Sequence, residues 1–97
     1  MLVKSTKFRK LFIIDKKIFN DERGYFIRDF CKKELKKIKF VIKQVNISFN
    51  KKKYTLRGFH YQKKPFEEDK IITCLSGEIL NISIDLRPRS KTYLKYF

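Results

Sequence analysis

Within residues 78–86, Leu80, Ile82, Ile84 and Leu86 alternate with Asn81, Ser83 and Asp85, one set on each side. A period of two is the signature of a half-buried strand, because successive side chains leave a pleated backbone on opposite faces. Residues 70–75 form a second strand-like run, and Ser76-Gly77 between the two has the length and chemistry of a hairpin turn. Residues 40–49 alternate as well, placing Phe40, Ile42, Gln44, Asn46 and Ser48 on one face. Further strands are expected over 54–62, 10–19 and 25–30, with turn chemistry over 20–24. Gly58 stands where a bulge or a close backbone approach fits. Only residues 32–38 read as a short helix, and Pro65 and Pro88 mark loops. Many short strands and one helical turn predict an all-β sandwich or barrel in a single domain spanning residues 1–97. The pattern yields about six or seven strands, against about eight in a closed jelly roll. Residues 92–97 resemble a strand left midway, so the sequence reads as unfinished.

Composition narrows the function classes. The chain of 97 residues has 25 Lys and Arg against 10 Asp and Glu, a formal net charge of +15. Such a charge suggests nucleic acid as a partner. The cations, however, are scattered as the short runs Lys32-Lys33, Lys36-Lys37, Lys51-Lys52-Lys53 and Lys63-Lys64, which suit solvated faces better than one recognition stripe. Lys, Ile, Phe and Asn abound and Ala is absent, the bias that AT-rich codons produce, which offers a second source for the lysine excess. An anionic small molecule such as a phosphate ester satisfies the same charge. No apolar run approaches the roughly 18 residues of a membrane-spanning helix, and residues 1–10 have no secretory h-region. The expected setting is the cytoplasm, without a membrane partner. Cys31 and Cys74 form no CxxC spacing and read as reduced thiols, and one histidine, His60, cannot build a His-rich metal site. No cofactor is expected.

Three clusters carry chemistry. Leu56-Arg57-Gly58-Phe59-His60-Tyr61-Gln62, followed by Lys70, combines a general base with cations able to stabilise an oxyanion. Taken singly, His60 reads more readily as a structural or surface residue, Lys70 as a solvated cation and Arg57 as half of an ion pair. Asp21-Glu22-Arg23-Gly24-Tyr25-Phe26 reads as a charged turn entering a strand. Gln44 and Asn46 share a strand face, where amides grip a polar ligand or meet solvent.

Taken in order, the blocks Phe19-Asn20-Asp21-Glu22-Arg23-Gly24-Tyr25-Phe26, Gln44-x-Asn46-x-Ser48, Leu56-Arg57-Gly58-Phe59-His60-Tyr61-Gln62, Lys70-Ile71, Ser76-Gly77-Glu78, Asp85-Leu86-Arg87 and Ser90-x-Thr92 resemble the dTDP-4-dehydrorhamnose 3,5-epimerase family. The resemblance covers residues 12–97 and implies a cupin-like jelly roll without a catalytic metal, acting as a homodimer. It implies a dTDP-4-keto-6-deoxy sugar as substrate, on the route to dTDP-L-rhamnose or a related deoxysugar. His60 matches the catalytic base and Lys70 the lysine beside the keto oxygen. Arg57 matches a substrate-binding arginine, and Arg23 one that contacts the nucleotide diphosphate from the neighbouring subunit. Gln44 and Asn46 match the outer amides of a Gln-Asp-Asn triplet.

Departures accompany the match. Val45 stands where the triplet has Asp, and Arg28 where the family has a substrate-binding Glu. The family's chain continues past the position of Phe97. Its later half supplies an acid tyrosine and the acidic partner of the histidine, which Tyr93 and Tyr96 do not match by motif. The resemblance therefore leaves two readings, an epimerase with His60 as base or a catalytically inactive remnant of one. A basic nucleic-acid-binding module is a third, with strongly salt-dependent binding as its mark.

Overall fold

Asp21-Glu22-Arg23-Gly24 closes the tightest turn in the molecule. The computed structural model, which describes residues 1–97, pairs β3 (Ile18–Asp21) with β4 (Gly24–Ile27) antiparallel across it, in the register Phe19↔Phe26 and Asp21↔Gly24. The Asp21 carboxylate accepts the Arg23 backbone N–H at 2.9 Å, an Asx-type turn, and Gly24 supplies a φ of 134° that a side chain would oppose. The Phe19 and Phe26 rings face each other at 6.4 Å as a cross-strand pair.

A second hairpin precedes it. Strands β1 (Leu2–Ser5) and β2 (Phe12–Asp15) pair antiparallel, with Val3 opposite Ile14 and Lys4 opposite Ile13. Thr6 ties their loop. Its hydroxyl accepts the Phe8 N–H at 3.0 Å and donates to the Leu11 carbonyl at 3.0 Å, while its own N–H donates to the same carbonyl at 3.2 Å. Strand β1 lies in a segment where the sequence signals none, since four cations among its first ten residues dilute Leu2 and Val3. The strand expected over 10–19 is two strands, β2 and β3, separated at Lys16-Lys17. The Lys16 ammonium there pairs with Asp29 and donates to the Thr73 hydroxyl at 2.8 Å.

The helix expected over 32–38 is a run of turns ending in a single 3₁₀ turn, Lys36–Ile38. Like charges explain it. Lys32 and Lys36, and Lys33 and Lys37, would stack at i, i+4 on an α-helix too short to propagate. Leu35 is buried beneath the turn, and Lys39 closes it in the left-handed conformation.

At the far end the chain folds back on itself. Ser83 and Phe97 exchange both backbone hydrogen bonds at 2.9 Å, Ile84 bridges Tyr96, and Asp85 takes the Leu94 N–H at 2.8 Å while donating to Lys95 at 3.0 Å. Phe8 packs on Phe97 with ring centroids 6.1 Å apart, joining the two ends of the chain.

The architecture is thus all-β with almost no helix, but its strands are few. Between residues 40 and 82 the backbone makes one internal hydrogen bond, Phe66 to Lys63. The strands expected over 40–49, 54–62 and 70–75 do not pair, the 78–86 strand pairs only from Ser83 onward, and Ser76-Gly77 is a bend without a ladder. Apolar residues of these segments stand open to solvent, Ile47 at 81% and Leu80 at 87%. The reason is the same throughout: a strand is stable only with a hydrogen-bonded neighbour and a covered face, and here neither is supplied locally. The radius of gyration of 15.6 Å exceeds the roughly 12.5 Å of a close-packed chain this long. Cys31 and Cys74 are both free thiols.

Candidate functional site

Each residue singled out by the sequence lies on the surface. Arg23 occupies the β3–β4 turn, where its Nη2 donates to Asp21 Oδ2 at 2.8 Å with the guanidinium almost fully exposed. That hydrogen bond, helped by the backbone N–H, holds the Asp21 carboxyl below its usual range. Gln44 and Asn46 are brought together as alternation requires: Gln44 Nε2 donates to Asn46 Oδ1 at 3.0 Å. Arg57 is held by the preceding loop, its Nε donating to Asn50 Oδ1 at 2.6 Å and its Nη2 to the Phe49 carbonyl at 3.4 Å.

His60 follows three residues later, exposed and without a hydrogen-bond partner in the protein. Lys70 pairs with Glu68 at 2.8 Å, with about half of its side chain in solvent. His60 and Lys70 share no hydrogen bond, and neither touches the Gln44–Asn46 pair through one. The structure therefore assembles the amide pair and the Arg57 bracket, and leaves His60, Lys70 and Arg23 as separate groups.

The pairing of Asp21 with Arg23 and of Glu68 with Lys70 is not among the expectations from sequence, although a signal for both exists. Asp21-x-Arg23, Glu68-x-Lys70 and Asp85-x-Arg87 all set an acid two residues before a cation, and in extended backbone such residues share a face. All three pairs form. Exposed pairs of this kind are worth at most about 1 kcal/mol. A phosphate or an oxyanion can therefore displace Asp21 or Glu68 at little cost.

Arg28, the charge reversal noted in the sequence, is also engaged. Its Nη1 donates to Glu34 Oε1 at 2.5 Å, and the other carboxylate oxygen takes the amino terminus. The amino terminus and Arg28 together hold the Glu34 carboxyl below its usual range, and Glu34 in turn raises that of Arg28.

The Asp85 carboxylate is buried and more fully satisfied than any other. Oδ1 accepts Arg87 N–H at 3.0 Å and Nε–H at 2.7 Å; Oδ2 accepts Arg87 Nη2–H at 2.8 Å and the Thr92 hydroxyl at 2.6 Å. Arg87, with Ser90 and Thr92, holds its carboxyl far below the usual carboxylate range. The Asp85-Leu86-Arg87 and Ser90-x-Thr92 blocks thus close on each other.

Residues 5–97 match the family model described as dTDP-4-dehydrorhamnose 3,5-epimerase. A protein of that name from Shigella flexneri is 36% identical over 101 residues, covering 99% of this chain and 54% of the relative. One from Salmonella typhimurium is 31% identical, covering 96% of this chain and 52% of its own length. An archaeal relative of the same name, from Methanothermobacter thermautotrophicus, is 34% identical over 84% of this chain and 44% of its own. The chain spans about half the length of these curated relatives. No solved structure matches it. From its ordered motif blocks and from these matches, the chain belongs to the dTDP-4-dehydrorhamnose 3,5-epimerase family.

Proposed function

We propose that these residues contribute the base and the enolate-stabilising cation of a nucleotide-sugar 3,5-epimerase acting on a dTDP-4-keto-6-deoxy sugar. The observation that carries the reading is the ordered set of motif blocks, with Arg57-Gly58-Phe59-His60-Tyr61-Gln62 at its centre, inside a family match over residues 5–97. The chemistry follows from the substrate. A C–H next to a ketone is acidic because the carbanion delocalises onto oxygen. His60 takes that proton, and the Lys70 ammonium, released from its exposed pair with Glu68, meets the charge that develops on the keto oxygen. Returning a proton to the opposite face inverts the carbon.

Arg57 and Arg23 bind the anionic end of the substrate, Arg23 by exchanging Asp21 for a diphosphate oxygen. Gln44 and Asn46 hold sugar hydroxyls. In this reading the uncovered segments over 40–62 and 70–82 become strands of a cupin-like jelly roll in a homodimer, with Arg23 reaching the neighbouring subunit. No metal or cofactor takes part in the step.

One observation favours the inactive remnant. His60 has no acidic partner to fix its tautomer and orientation, as a general base ordinarily requires. Incubation with dTDP-4-keto-6-deoxyglucose in D2O separates the readings. Deuterium entering C3 or C5, and lost in His60→Gln, supports the epimerase; exchange at the no-protein rate with wild type supports the remnant.

A further inference from the structure

Outside the residues assigned to that chemistry, one cleft is built by segments far apart in sequence. It has a volume of about 300 Å³ and lies between the loop closing β1–β2 and the Ser83–Arg87 segment. Two of the three buried residues of the chain, Phe8 and Asp85, line it, so it occupies the best-packed part of the molecule. Its apolar wall is Phe8, Leu11, Ile84 and Leu86. Its position is held by the Thr6 hydrogen bonds on one side and by the Asp85 network on the other.

Three cations stand around this wall, Arg9, Lys10 and Arg87. Arg9 and Lys10 are exposed and enter no ion pair, and Lys10 has a left-handed backbone, φ 65°. Arg87 spends Nε and Nη2 on Asp85, which leaves Nη1 without a protein partner. The one carboxylate present accepts four hydrogen bonds and has no capacity to satisfy these cations. An apolar wall edged by two unpaired cations, Arg9 and Lys10, and by the spare Nη1 of Arg87 is complementary to an amphiphilic anion: the body covers the wall while the head meets the cations.

We propose that this cleft is a binding site for a small organic anion with an apolar body and a carboxylate or phosphate head. The site is independent of the sugar chemistry, since it shares no residue with it. Octanoate, octyl phosphate, 1-octanol and inorganic phosphate are the probes, followed by NMR at the Leu11 and Ile84 methyl groups. Saturable shifts with octanoate or octyl phosphate, and not with octanol or phosphate, support the proposal, and the tighter of the two names the head group.

The double variant Arg9→Gln, Lys10→Gln removes two exposed cations without touching the Asp85 network. It should weaken binding about fivefold, the scale of two exposed charge contacts. Lys63→Gln, Lys64→Gln removes the same charge elsewhere and should leave binding unchanged. Equal weakening by both pairs means a general charge effect and overturns the site. So do octanol or phosphate shifting the methyls as strongly as the amphiphiles, or none of the probes shifting them.

Discussion

The two ends of this chain and its middle have similar sequences and different structures. Residues 2–27 and 83–97 hold nearly all the backbone hydrogen bonds, whereas residues 40–82 hold one. Apolar alternation does not separate them, since residues 40–49 alternate better than residues 2–5. What separates them is whether a side chain of the turn accepts one of its backbone N–H groups. Thr6 does so at β1–β2, Asp21 at β3–β4, and Asp85 at the 83–97 return. The loops of the middle are built on Lys51-Lys52-Lys53 and Lys63-Lys64, which repel one another and have no acceptor to offer a backbone N–H. Strands whose partners lie far along the chain need a covered face before pairing is favourable, and the middle has none. The residues assigned to chemistry, apart from Arg23, fall in this middle.

Removing the contact that joins the two ordered ends should do the most damage. Phe8→Ala empties the place against Phe97 and should cost about 3 kcal/mol, read as loss of the cooperative thermal transition; an unchanged melt would show that the ends fold separately.

Next comes the Asp85 network. Asp85→Ala should accelerate amide exchange at Ser83 and Phe97, which bond each other across the bridge, by at least about tenfold, as expected when charge-assisted hydrogen bonds go. Acid should reproduce it. The folded carboxyl lies below its ordinary value of 3.8, so its stabilisation is complete above that value and is lost as pH falls through the folded one. Pairing that survives unaltered at about pH 5 and declines only under strong acid fits this sign; a midpoint above the ordinary value contradicts it.

A smaller effect is expected at the first turn. Thr6→Val keeps the shape and removes the hydroxyl bonds to Phe8 and Leu11, costing about 1 kcal/mol, with the change in β1–β2 protection as the readout. The smallest concerns residues 32–38. Lys32→Glu turns one repulsive i, i+4 pair into an attractive one worth about 0.4 kcal/mol, and a gain in helical circular dichroism would show that like charge keeps this turn 3₁₀.

Much of this was legible in the sequence. The 20–24 turn follows from Asp21 and Gly24, the all-β class from alternation, and the pairing of Gln44 with Asn46 from their shared face. The Asp85 network was legible only as a motif block, because Ser90 and Thr92 approach Asp85 through a turn that alternation does not encode. Strand β1 was hidden by the cations around it, and the helix over 32–38 was overestimated because the spacing of Leu35 and Ile38 was set above four like charges. The residues of the proposed site are chosen by type and order. Their mutual placement is not legible there, since it depends on pairing between distant segments that the local sequence does not specify.

The central claim is that the segment bearing His60 and Lys70, to which the proposed chemistry is assigned, does not carry its own fold. Residue-resolved amide hydrogen exchange of the full chain, with and without dTDP, tests it most directly. The account predicts protection confined to residues 2–27 and 83–97 in the free chain, with new protection over 44–48 and 57–62 when the nucleotide binds. Protection across 40–82 equal to that of the hairpins before any ligand is added would contradict it.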